Sequence, residues 1–126
     1  MPMTIEELLD RARRDLVRVE PQQAATELAG GALLVDIRPA DQRTEGGDIP
    51  GAIVVDRNVL EWRLAPDSEW RIDAVADADT RVILLCNEGY SSSLAAATLK
   101  ELGLVNATDV IGGFRAWKAA GLPIER

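Results

Sequence analysis

Four short apolar runs, recurring along the chain, limit its fold more than any other feature of the sequence. They are residues 32–35, 53–55, 82–85 and, more weakly, 108–111. The runs are continuous rather than alternating, and the chain between them is long enough to hold helices. Continuous apolar strands separated by helices indicate a parallel sheet that is buried on both faces. The predicted fold class is therefore α/β, with a small doubly wound parallel sheet flanked by helices.

An amphipathic helix is predicted at the start of the chain. Thr4 and Glu7 have the spacing of a capping box, and apolar residues follow at helical intervals. This pattern predicts a helix over roughly residues 4–16, ahead of the sheet. The length of 126 residues suits one domain with one core, so we expect residues 1–126 to form a single unit in which 1–16 precede the core.

Two further helices and a short strand are predicted from local patterns. Val17 and Val19 alternate with charged residues, which indicates a brief strand before Pro21. Pro21 stands where the first turn of a helix tolerates proline, and residues 22–29 continue that helix until two glycines end it. Residues 92–102 carry an apolar stripe at helical spacing and are followed by a glycine.

The composition excludes several kinds of chemistry and partner. The chain has no histidine, one cysteine and a net charge of −7. No Ser-His-Asp triad, Cys-His pair, internal disulfide or cysteine zinc cluster can form. The acidic balance argues against a nucleic-acid partner. No targeting or membrane segment is visible, so the expected location is the cytoplasm and no membrane partner is expected.

The residues directly after each strand are expected to meet at one edge of the sheet. They are 36–39, 56–58, 86–92 and Gly112–Gly113. In a parallel sheet the carboxyl ends of all strands lie at the same edge, and ligands bind in the crevice there. The one cysteine of the chain, Cys86, belongs to this set.

The surroundings of Cys86 favour a reactive thiolate. A loop containing Gly89 and three serines follows the cysteine, and a helix is predicted to start near Ser92. If the loop curls around the sulfur, its N–H groups and the helix N-terminus form an anion cradle that stabilises the thiolate. The alternative interpretation is a buried free cysteine that packs as a small apolar side chain.

Several segments together resemble the rhodanese-like sulfurtransferases. The resemblance runs from about residue 17 to 124 and rests on four pieces in a fixed order. They are Leu34-Val35-Asp36-Ile37-Arg38, Gly47-Asp48-Ile49-Pro50-Gly51-Ala52, the strand, cysteine loop and helix around Cys86, and Gly112-Gly113-Phe114-Arg115-Ala116-Trp117 followed by Gly121-Leu122-Pro123.

The resemblance implies that Cys86 accepts a sulfane sulfur as a persulfide and passes it to cyanide or a thiol. Small sulfur donors such as thiosulfate, thiol acceptors and, as a further candidate, a sulfur-carrier protein are the implied partners, and neither a cofactor nor a metal is needed. A persulfide relay also needs no histidine base. The predicted substrate-binding residues are Asn87, Glu88, Gly89, Tyr90, Ser91, Ser92 and Arg57.

Two alternatives to sulfur transfer stay open. One is a non-catalytic rhodanese-like module that binds a partner or senses redox state. The other, less favoured, is a phosphatase or arsenate reductase. Those relatives carry one more residue in the cysteine loop, and the spacing from Cys86 to Ser92 is the shorter one typical of sulfurtransferases.

Three positions depart from the pattern of many family members, and each makes the site less positive. Ser91 stands in place of an arginine, Glu88 in place of a basic or neutral residue, and Asp48 in place of a histidine. A carboxylate on the loop opposes thiolate formation and repels thiosulfate. The candidates for restoring positive charge are Arg38, Arg57 and Arg63, with Arg57 the first choice.

The remaining polar and aromatic residues are expected to have structural roles. Asp36 and Arg38 are interpreted as an ion pair near the site. The serines at 91–93 are interpreted as helix N-cap and first-turn residues, with one hydroxyl available to a persulfide on Cys86. The three tryptophans, at 62, 70 and 117, are expected to pack in the core or in a covering segment.

Overall fold

The structure is a computed structural model that describes all residues, 1–126. Four parallel strands form one sheet in the order β2-β1-β3-β4, and six helices flank it. The helices are α1 (Ile5–Arg14), α2 (Pro21–Ala29), α3 (Ala40–Gly46), α4 (Leu60–Leu64), α5 (Ser91–Glu101) and α6 (Gly113–Ala119), and the strands are β1 (Leu33–Asp36), β2 (Ile53–Val54), β3 (Val82–Leu85) and β4 (Ala107–Asp109). The α/β prediction is confirmed.

Both faces of the sheet are buried. In β3 the side chains alternate between two apolar clusters: Val82 and Leu84 face one, and Ile83 and Leu85 face the other. The first cluster packs under α4 and α5, and the second packs under α2 and α6. Helices on both faces explain why the central strands β1 and β3 read as continuous apolar runs, while Val54 of the edge strand β2 is 47% exposed.

The N-terminal helix forms as predicted and packs on α5. Thr4 is its N-cap: the Glu7 N–H donates to Thr4 Oγ1 at 3.1 Å, and the Thr4 N–H donates to the Glu7 carboxylate at 3.2 Å. The reciprocal capping box satisfies two N–H groups that would otherwise lack acceptors.

The predicted strand at Val17 and Val19 is wrong as a full strand. Only Val19 pairs with the sheet, through an isolated parallel bridge to Val110, while Val17 is 80% exposed. Pro21 begins α2 two residues later, and proline has no N–H to extend a ladder. This segment therefore forms a β-bridge with the edge of the sheet at a single residue.

Of the three tryptophans, one lies in the core and two do not. Trp117 is buried in the cluster under α6, but Trp62 and Trp70 are 59% and 62% exposed. Trp62 stands on α4 and Trp70 on the turn after it. In α4 only Leu60 and Leu64 are buried, so the rest of this short helix faces away from the core. No helix in the structure has the length and apolar character needed to cross a bilayer.

Candidate active site

Cys86 lies directly after β3, at the carboxyl edge of the sheet, and its residue is only 6% exposed. Three groups contact its sulfur. The Gly89 N–H donates to Sγ at 3.1 Å, the Ser92 N–H donates at 3.4 Å, and the Ser92 hydroxyl oxygen lies 3.2 Å away. The loop therefore curls around the sulfur, as the sequence predicts.

These contacts set the ionisation of the thiol. Burial by itself raises the pKa of Cys86, but hydrogen bonds from the hydroxyls of Ser92 and Ser91 and from the N–H groups of Ser92 and Gly89 lower it, and the pKa ends below its usual value. No base acts on the thiol, so its activation comes from dipoles.

Close backbone packing holds the loop in this shape. Gly89 has a φ of +88°, a conformation that favours glycine, and a Cβ there would meet the Gly112 nitrogen at 2.8 Å. A Cβ on Gly113 would collide with the Cys86 carbonyl. Because neither glycine has a side chain, the start of α6 can approach closely, and the Phe114 N–H donates to the Cys86 carbonyl at 2.8 Å.

Several loop amides have no acceptor within the protein. They belong to Asn87, Glu88 and Tyr90, and they follow Cys86 in the turn that leads into α5. Backbone N–H groups without an acceptor are suited to an anion or to a second sulfur atom bound on Cys86.

A shallow, open pocket of about 280 Å³ gives access to the cysteine. Asn87, Glu88, Tyr90 and Ser91, all expected to bind substrate, line this pocket together with Cys86. The other lining residues are Ile37, Arg38, Pro39 and Gln42. Gly89 and Ser92, also expected to bind substrate, contact the sulfur itself.

Asp36 and Arg38 form a buried ion pair beside the pocket. Arg38 contacts the Asp36 carboxylate through Nε and, at 2.7 Å, through a terminal nitrogen, which also donates to the Gly47 carbonyl at 2.8 Å. The guanidinium stacks on the Phe114 ring, 3.8 Å from its centroid. The pair therefore ties the end of β1 to the turn after α3 and to α6.

Three residues that the sequence linked to the charge of the site lie outside the pocket lining. The Arg57 guanidinium is paired with Glu61 at 2.9 Å, one helical turn away. Arg63 donates to the Trp70 carbonyl at 2.8 Å. Asp48 forms an antiparallel bridge with Glu125. The structure does not bring Arg57 into the lining, because its guanidinium is directed along α4.

A cluster behind the loop was not expected from the sequence. Asp109, at the end of β4 and fully buried, accepts hydrogen bonds from the hydroxyls of Ser92 and Ser93, both at 2.7 Å. Arg18 pairs with the same carboxylate at 2.9 Å, and Arg13 donates to the Ser93 hydroxyl at 3.0 Å. The serines therefore do not cap α5, whose N-cap is Tyr90 and has no side-chain cap. The one sequence signal was an aspartate within the weakest of the four apolar runs, residues 108–111.

The fold and this loop define a class of protein: an α/β domain with one cysteine whose sulfur accepts hydrogen bonds from backbone amides at the carboxyl edge of a parallel sheet. The family model of the rhodanese-like domain matches residues 20–120. The chain belongs to this family and is a rhodanese-like sulfurtransferase.

Sequence relatives include thiosulfate sulfurtransferases. The chain is 36% identical over 107 residues to the thiosulfate sulfurtransferase GlpE of Haemophilus influenzae (strain PittEE), covering 85% of this chain and 92% of the relative. It is 33% identical over 102 residues to the protein of the same name from Pseudomonas savastanoi pv. phaseolicola, covering 81% and 87%.

Two solved structures are similar over nearly the whole chain. One is a protein of unknown function, a possible tyrosine phosphatase, from Rhodopseudomonas palustris CGA009, with a TM-score of 0.86, 32% identity and 99% coverage of both chains. The other is the homodimeric polysulfide-sulfur transferase of Wolinella succinogenes, with a TM-score of 0.75, 26% identity and coverage of 94% of this chain and 85% of that one.

Proposed function

We propose that this chain moves a sulfane sulfur from an anionic donor to a thiophilic acceptor through a persulfide on Cys86. The observation that carries the proposal is the arrangement around Sγ: two N–H groups and a hydroxyl contact the sulfur, while neighbouring loop N–H groups have no acceptor. The first set stabilises the attacking thiolate, and the second set is available to the incoming sulfur.

In the first half of the reaction, the Cys86 thiolate attacks the outer sulfur of thiosulfate. A new S–S bond forms on Cys86, the original S–S bond of thiosulfate breaks, and its electron pair leaves with sulfite. The products are the Cys86 persulfide anion and the sulfite dianion, so the total charge is unchanged. The negative charge then lies on the outer sulfur of the persulfide. The free loop N–H groups can stabilise this charge by hydrogen bonding.

In the second half, cyanide or a thiolate attacks the outer sulfur of the persulfide. The Cys86 S–S bond breaks and its electron pair returns to Cys86, which becomes a thiolate again. Cyanide leaves as thiocyanate, and a thiol acceptor leaves as its own persulfide. The contacts that stabilise the Cys86 thiolate make it a good leaving group in this step.

Donors and acceptors of this type fit the open pocket. The relatives named for thiosulfate and polysulfide transfer support small sulfane donors. The pocket is open to solvent, so a thiol on a sulfur-carrier protein is a further acceptor to test. The free cysteine suits a reducing compartment such as the cytoplasm.

Phosphate hydrolysis is disfavoured by the charges of the same loop. Residues 86–92 contain no cationic side chain and include Glu88. At the last position, the Ser92 hydroxyl is 2.7 Å from the Asp109 carboxylate. The loop itself therefore gives a phosphate dianion none of the guanidinium contacts that would hold it through hydrolysis, whereas sulfur transfer leaves the loop N–H groups a single terminal sulfur anion to hold.

Intact-mass measurement after incubation with thiosulfate tests the proposal. The wild-type chain should gain one sulfur atom, lose it on addition of cyanide and release thiocyanate. Cys86→Ser should gain none, and it is a matched control because it changes one atom of the chain. If no sulfane donor loads the wild type, sulfur transfer is wrong and a binding or redox-sensing module becomes the better interpretation. Turnover of an aryl phosphate would favour phosphatase activity instead.

A further inference from the structure

We propose that the N-terminal segment is a working part of this active site, in which Arg13 and Arg18 position the Gly89–Tyr90 peptide and Arg13 supplies the positive charge that the cysteine loop itself lacks. The inference rests on the proposed function for its meaning in catalysis. It concerns residues outside the range 20–120 that the family model matches.

Both arginines converge on one backbone oxygen of the cysteine loop. Arg13 donates to the Gly89 carbonyl at 2.7 Å, and Arg18 donates to the same oxygen at 3.0 Å. They reach it from different places, because Arg13 stands in the last turn of α1 and Arg18 stands in the segment between α1 and α2. Two charge-assisted hydrogen bonds on one carbonyl fix the orientation of its peptide plane.

That peptide plane sets the direction of the Tyr90 N–H, which follows directly after the residue whose N–H contacts the sulfur. The Gly89 N–H donates to Cys86 Sγ, so the residue whose carbonyl is held also contacts the nucleophile. In a trans peptide the Gly89 carbonyl and the Tyr90 N–H point to opposite sides. The Tyr90 N–H therefore points away from the arginines, and it has no acceptor in the protein. Holding the carbonyl keeps this N–H available to an anion.

Arg13 fastens the loop at two further points. Its Nε donates to the Ser93 hydroxyl at 3.0 Å, and its guanidinium lies 5.8 Å from the centroid of the Tyr90 ring. The helix that carries it is itself anchored, since Lys100 on α5 donates to the Asp15 carbonyl at 2.6 Å. Arg13 thus links α1 to both ends of the turn that leads into α5.

The electrostatic balance around Cys86 explains why such charge is needed. The loop carries Glu88, Asp109 lies behind Ser92, and the Arg38 charge is neutralised by Asp36. Arg18 pairs with Asp109, which leaves Arg13 as the cation without a carboxylate partner on the loop. Arg13 therefore restores a positive potential at a loop whose own residues give a negative one.

Alkylation by two reagents of different charge tests this without any sulfur donor. The ratio of the rate constants for iodoacetate and iodoacetamide reports the potential at Cys86, because only iodoacetate is an anion. In Arg13→Gln this ratio should fall by about threefold to fivefold, as expected for the loss of one partly screened unit charge. Arg14→Gln is the matched control, since Arg14 is exposed, lies on the same helix and makes no contact with the loop.

A second variant separates charge from geometry. Arg13→Lys should keep the wild-type alkylation ratio, because the charge is kept. It should still gain sulfur from thiosulfate about tenfold more slowly, since one ammonium group cannot replace the forked contacts and the loss of one charge-assisted hydrogen bond is of that size. Loading at the wild-type rate would show that Arg13 does not position the loop.

The inference is overturned if Arg13→Gln, folded by circular dichroism, keeps the ratio of the wild type even though its melting temperature falls. In that case Arg13 only fastens the N-terminal helix. Failure of the wild type to gain sulfur would instead count against the proposed function. The alkylation ratio would still decide whether Arg13 sets the potential at Cys86.

Discussion

The Ser92 hydroxyl contacts the Cys86 sulfur and also the carboxylate of Asp109. The Ser92 oxygen lies 3.2 Å from the Cys86 sulfur and 2.7 Å from the Asp109 carboxylate. A hydroxyl has one proton to donate, so a hydrogen bond to Asp109 withholds it from the thiolate. Asp109 therefore works against thiolate formation, while Ser92 works for it.

This competition predicts opposite effects of two substitutions on the thiol. Ser92→Ala should raise the pKa of Cys86, because a hydrogen bond that stabilises the thiolate is lost. Asp109→Asn should lower it, because a buried negative charge disappears and the Ser92 proton is released to the sulfur. The rate of alkylation by neutral iodoacetamide, followed against pH, measures both.

The sign of the wild-type profile follows from the same contacts. Because the pKa of Cys86 is lowered, the midpoint of the alkylation profile should lie below the value of about 8.5 for free cysteine, and the rate should fall as the pH drops through the pKa of Cys86. Thr98→Ala, on the same helix but bonded to the Leu94 carbonyl, should leave the profile unchanged. Shifts in the same direction for Ser92→Ala and Asp109→Asn would contradict the competition.

Neutralising Glu88 should speed the reaction with thiosulfate. The Glu88 side chain is half exposed, lines the pocket and has only a 3.9 Å contact with Arg115 to offset its charge. Glu88→Gln should raise the second-order rate of sulfur loading by about twofold to fivefold at low salt, with the gain fading as salt screens the charge. Glu101→Gln, on an exposed part of α5, is the control. An unchanged rate at low salt would mean that Glu88 does not act on the incoming dianion.

Replacing Arg38 should lower the free energy of unfolding, because its main role is structural. Arg38→Met leaves the Asp36 carboxylate buried and unpaired and removes the stacking on Phe114. Loss of one partner of a buried ion pair costs about 3–5 kcal/mol, which urea unfolding can resolve. Arg43→Gln, a half-buried arginine nearby, should cost far less. Equal midpoints for the two variants would contradict a structural role for the buried pair.

Replacing Arg57 should have little effect on the reaction with thiosulfate. Since its guanidinium is paired with Glu61 and does not line the pocket, Arg57→Gln should change the KM and kcat for thiosulfate by less than about twofold. A large rise in KM with kcat unchanged would restore the sequence-based expectation that this arginine binds the substrate.

The fold was largely predictable because its strands are buried on both faces. The apolar run at 82–85 gave β3 without error, and the run at 32–35 gave β1 within one residue. The helix pattern at 92–102 gave α5 within one residue at each end. The alternation at Val17–Val19 predicted a strand that does not form. An alternating segment becomes a strand only if an adjacent strand pairs with it along its length, and here only a single bridge forms.

The charges of the site were far less predictable. Arg13 is 76 residues from Gly89, and Arg18 is 91 from Asp109. In the sequence, Arg13 and Arg18 are two of several charged residues on or just after an exposed helix. The chain order gives no sign of which arginine turns inward, so the sequence favours Arg57, which directly follows its predicted strand. Only the packing of α1 on α5 brings Arg13 to the loop.

The central claim is a persulfide on Cys86, and a single-turnover transfer of labelled sulfur tests it most directly. The chain is loaded with thiosulfate labelled in the outer sulfur, freed of excess donor and then treated with cyanide. We predict one labelled sulfur for each chain after loading, all of it recovered as labelled thiocyanate, and none bound by Cys86→Ser. Label that is absent after loading, or that stays on the protein in the presence of cyanide, would contradict the account.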